Sequence, residues 1–324
     1  MKTIRVHAFG PAENLRYEEV PDPVPEGGQV LIRVEAAGVH LIDTMLRSGA
    51  AGGGPIPVPD LPTTPGREVA GRVEALGPQV DAAWIGKRVV VHLGMVPGGY
   101  AELAVAKVES LYELPNHVDA AQAVAAIGTG RTTAGILSQA KLTADDVVLI
   151  TAAAGGIGSY LVQAARNVGA TVIGLAGGPE KVQSVHDLGA HYAIDYKDAD
   201  WATALKAELG DRTITVLLDG VGGENGQQAF DLLGIGGRVL MFGWSGGGPI
   251  QLTTEDLMAR GLSAVWAIGP KLMPKLRALE TTALEETFSG RWHALTTTFR
   301  LSDAPEAHRA LESRATTGKV VLLP

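Results

Sequence analysis

The chain has 324 residues, too many for one comfortable hydrophobic core, so two domains are expected. Hydrophobic residues at 46% and charged residues at 19% give enough apolar material for a folded protein, and 42 glycines with 18 prolines imply many tight connections. A net charge of -8 without a local basic patch argues against nucleic acid, and zero cysteines exclude disulfides, a thiolate nucleophile and thiolate zinc sites.

In chain order, MKTIRVHAFG lacks the long apolar stretch of a signal peptide, and no apolar run approaches the roughly 20 residues of a spanning helix; a cytoplasmic protein is expected. Residues 30–35, 69–76 and 88–92 read as short extended runs broken by Gly and Pro, the texture of an antiparallel, barrel-like β domain. AAGGG at 50–54 reads as a flexible loop. Around Pro115 the texture changes: AAQAVAAIG suggests a helix, and after Leu142 apolar runs alternate with helical segments. Candidate strands at 147–151, 171–175, 192–195, 215–219, 238–242 and 262–267 fit a doubly wound parallel sheet, so the fold class is α/β. A last apolar strand at 320–323 has no partner in that block and is expected to rejoin the N-terminal domain.

The strongest local signal is VVLITAAAGGIGSYLVQAARNVGATVIGLAGG, a buried strand, a Gly-rich turn, an amphipathic helix and a second buried strand. This is the anatomy of a dinucleotide site. Gly155 lets backbone amides approach a diphosphate, Gly158 lets the helix pack on the sheet, and the helix N-terminus favours the phosphate charge. Ala153 stands where G-x-G-x-x-G has its first glycine, so the fingerprint depends on its strand and helix setting. At the end of the second strand, where a carboxylate would hold the ribose 2'-hydroxyl of NAD, the chain has Ala176, Gly177 and Gly178. Lys181 and Tyr196 follow and can meet a 2'-phosphate, which favours NADPH, although Lys181 beside Glu180 also reads as a solvated first-turn lysine.

Taken together, AAGVHLIDTMLRSG, LPTTPGREVAGRVEALG, GGYAELAV, AAAGGIG and the tail AHRALESRATTGKVVLLP resemble, in order and spacing, the medium-chain dehydrogenase/reductase superfamily. Within it the chain is similar to the zinc-independent quinone oxidoreductases of the zeta-crystallin type. The resemblance implies a Rossmann doubly wound sheet inserted into a GroES-like, β-rich catalytic domain: residues 1–122 catalytic, 123–261 NADP-binding, and 262–324 returning to the catalytic domain with a possible dimer strand near 262–268. His40, Arg67 and Thr129 occupy the positions that bind catalytic zinc in the zinc alcohol dehydrogenases of the superfamily, and one possible ligand of three cannot hold the metal. The quinone reductases usually carry asparagine at the His40 position and tyrosine near Met45. His40 is either a proton donor or a packing histidine; Asp43 reads as a buried acceptor fixing its loop, and Arg67 with Glu68 as an ion pair or a cleft lining.

For the cofactor, the resemblance implies Thr133 near the nicotinamide, Ala154, Gly155, Gly156 and Ile157 around the diphosphate, Gly177, Lys181 and Tyr196 at the adenosine end, and Val221 within the 219–222 turn beside a ribose or the nicotinamide. It further implies Phe242, Gly243 and Ser245 in the loop after the fifth strand, and Lys319 reaching the cofactor. The function implied is NADPH-dependent, metal-free hydride transfer to a quinone or an α,β-unsaturated carbonyl compound by a homodimer. Two alternatives stand beside it: an NADPH-binding sensor or structural protein with little turnover, and an enoyl-thioester reductase, for which only scattered Arg47, Arg67 and Arg72 offer a basic rim.

Overall fold

The structure, a computed structural model, describes residues 1–50, 57–94 and 98–324. The loop expected at 50–54 therefore lies, from residue 51 onward, outside the described residues. Two compact units are formed, one by residues 1–129 and 296–324, the other by residues 130–295.

In the first unit β1 (Lys2–Val6) pairs antiparallel with β2 (Leu15–Glu19). The long β3 (Gln29–Val39) is followed by helix α1 (Leu41–Ser48) and pairs antiparallel with β4 (Glu68–Leu76), which pairs in turn with β5 (Arg88–His92). On its other edge the first half of β3 takes β6 (Leu103–Lys107), and the short β7 (Tyr112–Glu113) closes on β5. Every strand pair up to this point is antiparallel, as expected for this stretch. Alternation explains the packing: Val30, Ile32 and Val34 of β3 join Val69, Val73, Val89 and Val91 in one core, while Arg33 and Glu35 point outward. Helix α2 (Ala120–Ala125) starts at Asp119, whose carboxylate accepts from the Ala121 and Gln122 amides, and its small side chains let it lie close against β3 and β4.

The second unit runs through α3 (Arg131–Ala140), β8 (Val147–Ile150), α4 (Gly156–Asn167), β9 (Thr171–Ala176), α5 (Pro179–Asp187) and β10 (Tyr192–Asp195). It continues with α6 (Trp201–Leu209), β11 (Ile214–Asp219), α7 (Gly223–Asp231), β12 (Leu233–Met241), α8 (Thr254–Arg260), β13 (Ser263–Trp266) and α9 (Leu276–Phe288). The sheet order is β10-β9-β8-β11-β12-β13, all parallel, the doubly wound arrangement expected, with its switch point between β8 and β11. Both faces are covered, which is why the strands read as continuous apolar runs. Val148, Ile150, Val172, Val216, Leu218 and Leu240 pack on one face with Leu161 and Val162 of α4, and Leu149, Ile173, Leu217 and Val239 on the other with Trp201, Leu205 and Phe230.

The chain re-enters the first unit at Thr296 as β14 (Thr296–Arg300), α10 (Ala304–Glu312) and β15 (Lys319–Leu323). The last strand finds its partners there: β15 pairs antiparallel with the second half of β3 and parallel with β14. The division expected at residues 122 and 261 thus falls at 129 and 295. The reasons are physical: α2 packs on the first sheet, whereas β13 pairs with β12 and α9 lies against α3, so the segment 262–295 stays with the parallel sheet. Among the described residues no helix is long and apolar enough to cross a membrane.

Candidate active site

In the first unit three ionisable side chains meet across the C-terminal half of β3. This strand has β4 on one edge and β15 on the other, with Ala37 opposite Val69 and Val39 opposite Val320. Their first residues, Glu68 and Lys319, are therefore brought toward each other. Gly38 leaves the space between them, since a Cβ there would sit 2.3 Å from Glu68 Oε2 and 3.0 Å from Lys319 Cε. His40, at the N-cap of α1, places Nε2 2.5 Å from Glu68 Oε1, and Lys319 Nζ stands 2.9 Å from Glu68 Oε2 as an ion pair without hydrogen-bond alignment. A second glycine is needed: a Cβ on Gly128 would lie 1.3 Å from Glu68 Oε1 and 3.2 Å from His40 Nε2.

Glu68 is fully buried and Lys319 nearly so, while the His40 side chain remains one quarter exposed. Burial alone would raise the Glu68 carboxyl, but the His40 and Lys319 charges and the His40 hydrogen bond outweigh it and hold the group well below the usual carboxylate range. Glu68 is thus an anion fixed between two bases, and His40 is the member of the trio open to solvent.

Behind His40 lies a second buried network. Asp43 Oδ2 accepts from the His40 amide at 2.9 Å and from the Tyr100 hydroxyl at 3.0 Å, and Tyr100 Oη is 3.2 Å from His308 Nε2. Burial pushes the His308 imidazole down to about 4, with Asp43 opposing and the Arg47 charge reinforcing the shift, so it is neutral at pH 7. Because Tyr100 donates to Asp43, His308 must carry its proton on Nε2 and donate to the tyrosine oxygen, leaving Nδ1 as a buried acceptor without a partner. The unfolded state binds this proton near pH 6.5 and the folded state only near 4, so the contribution is complete above the unfolded value and is lost as pH falls between the two. The parent is expected to lose about 2 kcal/mol between about pH 7 and pH 5 through this group. His308→Phe should flatten that part of the profile in thermal melts; an unchanged pH dependence would show that His308 is not buried neutral.

In the second unit the carboxyl ends of β8 and β11 are tied together at the switch point. Thr151 Oγ1 donates to Asp219 Oδ1 at 2.8 Å, the same oxygen accepts from the Val221 and Gly222 amides, and the Gly220 amide donates to Thr151 Oγ1. The turn between β8 and α4 is tight: Ala152 has a φ of 47°, and the Gly155 amide returns to the Ala152 carbonyl. A Cβ on Gly158 would come within 2.2 Å of that carbonyl oxygen and 2.7 Å of Ala153 Cα. The first-turn amides of α4 have no partner within the helix and can meet an anion. Ala154, Gly155, Gly156 and Ile157 all lie in this turn and helix start, at the expected strand-to-helix crossing.

At the end of β9, Gly177 lies under Tyr196, whose hydroxyl oxygen would be 2.5 Å from a Cβ at that position. Gly178 has a φ of 95°, its amide donates to Asp195 Oδ1, and the exposed Lys197 has Nζ 3.7 Å from where its Cβ would be. Lys181 is in the first turn of α5. Val221, Phe242, Gly243 and Ser245 belong to two loops stitched to each other: Phe242 N donates to Asp219 O, Gly246 N to Val221 O, and a Cβ on Gly243 would lie 2.7 Å from Gly220 O. Thr133 is buried in α3. Lys319 lies in the first unit on Glu68. Sequence reasoning passed over Lys197, although it directly follows Tyr196, and took Glu68 for a partner of Arg67 rather than of His40 and Lys319.

A model of the alcohol dehydrogenase GroES-like domain matches residues 26–116, and a model described as zinc-binding dehydrogenase matches residues 156–283. A quinone oxidoreductase of Sus scrofa is 35% identical over 333 residues, covering 100% of this chain and 98% of the relative. A 2-haloacrylate reductase of a Burkholderia species is 33% identical with 98% of each chain covered. Among solved structures, an Escherichia coli quinone oxidoreductase complexed with NADPH is similar at a TM-score of 0.85 and 29% identity over 100% of both chains.

Proposed function

Because this chain belongs to the quinone oxidoreductase family of the medium-chain dehydrogenase/reductase superfamily, we propose that it is an NADPH-dependent reductase of quinones or α,β-unsaturated carbonyl compounds that works without a catalytic metal. The observation that carries the reading is the His40–Glu68–Lys319 trio, an ionisable proton source where the zinc enzymes hold their metal. The metal does not fit. Of the three positions that would bind it, one is a guanidinium, one a hydroxyl, and the third, His40, has its Nε2 committed to Glu68. Among the described residues no group of three or more His, Asp or Glu is arranged to hold a metal ion.

NADPH does fit the second unit. Gly158 lets α4 pack against the β8 turn, where a Cβ would meet the Ala152 carbonyl oxygen, so that the free first-turn amides can face a diphosphate, and the E. coli relative is a complex with this cofactor. We assign Ala154, Gly155, Gly156 and Ile157 to the diphosphate, Tyr196, Lys181 and the added Lys197 to the 2'-phosphate around Gly177, and Thr133, Val221, Phe242, Gly243 and Ser245 to the nicotinamide half. Bound there, the cofactor supplies a hydride. The acceptor oxygen that gains charge then needs a proton, which His40 delivers, with Glu68 holding the imidazolium and Lys319 keeping Glu68 ionised. Reduction of a conjugated double bond is in keeping with the name of the Burkholderia relative. The test is NADPH consumption by chelator-treated protein against quinones and α,β-unsaturated ketones and aldehydes, with NADH alongside. Turnover favouring NADPH is expected, and Lys197→Ala should raise the KM for NADPH about tenfold with little change for NADH. Saturable NADPH binding without oxidation of any acceptor would move the assignment to a sensor.

We also propose a homodimer. β13 is the last strand of the parallel sheet, its outer edge has no strand partner among the described residues, and Trp266, Met258 and Met273 are exposed near it in sequence. Sedimentation at micromolar protein should show the dimer; a monomer alone would refute it.

A further inference from the structure

The first unit holds a pocket that the proposed proton chemistry does not use. Its apolar lining includes Val6, Phe9, Leu46 and several prolines, and its polar members are Asp43, Arg47, Thr63 and Arg67. Arg47 is tied through Nη2, 2.5 Å from Glu312 Oε1, while its Nε and Nη1 are buried without a partner. The Arg67 side chain is only 11% exposed, its buried Nε has no hydrogen-bond partner, and the carboxylate paired with its Nη2, Asp43 Oδ1, stands at 3.7 Å, outside hydrogen-bond range. Asp43 is already engaged through its other oxygen by Tyr100 and the His40 amide, which fix it in place and hold it back from closing on Arg67.

A guanidinium with unspent donors, nearly enclosed and facing an apolar wall, is costly unless something planar and anionic completes it. Arg is the side chain whose fork matches a carboxylate in two parallel bonds. The rest of the lining, proline rings, Phe9 and two aliphatic side chains, accepts a short hydrocarbon. Asp43 joins this pocket to the proton source, since one of its oxygens faces Arg67 and the other holds the His40 main chain.

We propose that Arg67 is a specificity residue that binds the carboxylate of an acidic acceptor, so that the preferred substrates are short α,β-unsaturated carboxylic acids or quinones bearing a carboxylate. This rests on the reductase reading above. Such an acceptor gains the hydride at one carbon and a proton at its partner atom, and the carboxylate itself undergoes no change.

The experiment compares kcat/KM for matched acceptors, an unsaturated acid and its methyl ester, in the parent, Arg67→Met and Arg67→Lys. The parent should prefer the acid; Arg67→Met should reduce the acid-to-ester ratio by at least about tenfold, and Arg67→Lys should recover part of it because charge returns without the fork. An unchanged ratio in Arg67→Met, or a parent that prefers the ester, would overturn the proposal. Binding of the saturated acid to the parent and to Arg67→Met is measured by calorimetry in parallel. Binding lost in the variant upholds the anion site even if no acceptor is reduced, in which case the reductase reading alone has failed; equal binding overturns the site.

Discussion

Replacing His40 with Gln is expected to lower kcat about 100-fold while KM for NADPH stays within about twofold, because the imidazole is assigned to the proton and not to the cofactor. The magnitude follows from the usual worth of a positioned general acid. Gln can still hydrogen-bond Glu68, so Glu68 keeps a polar partner and the buried carboxylate is not abandoned, although it loses the His40 charge that helps hold it ionised. A companion change isolates the positioning role of Glu68. Glu68→Gln retains a hydrogen-bond partner for His40 but removes the negative charge beside the proton donor, so kcat should fall about tenfold with KM for NADPH little changed. Lys319 loses its counter-ion in the same variant and is left nearly buried and unpaired. A loss of stability is therefore expected as well, which thermal melting separates from the change in kcat.

Gly158→Ala is expected to abolish measurable NADPH binding, a loss of about 100-fold or more, while leaving most of the protein folded. The added methyl would meet the Ala152 carbonyl oxygen at 2.2 Å and Ala153 Cα at 2.7 Å, both backbone atoms that cannot rotate away. To make room, α4 must move from the β8 turn, and the first-turn amides that face the diphosphate move with it. Gly155→Ala is the milder control: its Cβ would meet the same oxygen at 3.1 Å, which a few tenths of an ångström relieves. Titration of cofactor fluorescence should rank the parent first, Gly155→Ala next and Gly158→Ala last; equal affinity in all three would remove the turn from the cofactor site.

The parallel sheet could be read from the sequence because strands buried on both faces leave continuous apolar runs such as VVLI and TVLLD between Gly-rich turns. The return of the last strand could be read because KVVLL had no partner left in that sheet. The boundary at 262 could not. Ser263–Trp266 is a short edge strand, and the fate of the helix after it depends on Gly135, where Leu272 and Leu279 pack closely, and not on any local signal. At the site, His40 stood out because a titratable group occupies a position of known importance in the resemblance. Glu68 did not, because Arg-Glu side by side reads as a surface ion pair. Its burial comes from absent side chains at Gly38 and Gly128 and from a lysine near the far end of the chain, which are relations of space and not of spacing. Tyr100 and His308 were hidden for the same reason, each being unremarkable in its own segment and joined only in space, where the Tyr100 hydroxyl meets both Asp43 and His308.

The most direct measurement is kcat and KM for NADPH-driven reduction of one good acceptor by chelator-treated protein, in the parent, His40→Gln and Glu68→Gln. Full activity of the treated parent, a fall in kcat of about 100-fold in His40→Gln and about tenfold in Glu68→Gln, and a KM for NADPH within about twofold in all three are the predicted results. Activity that disappears on chelation and returns with zinc, or equal kcat in all three proteins, would contradict a metal-free reductase that takes its proton from His40.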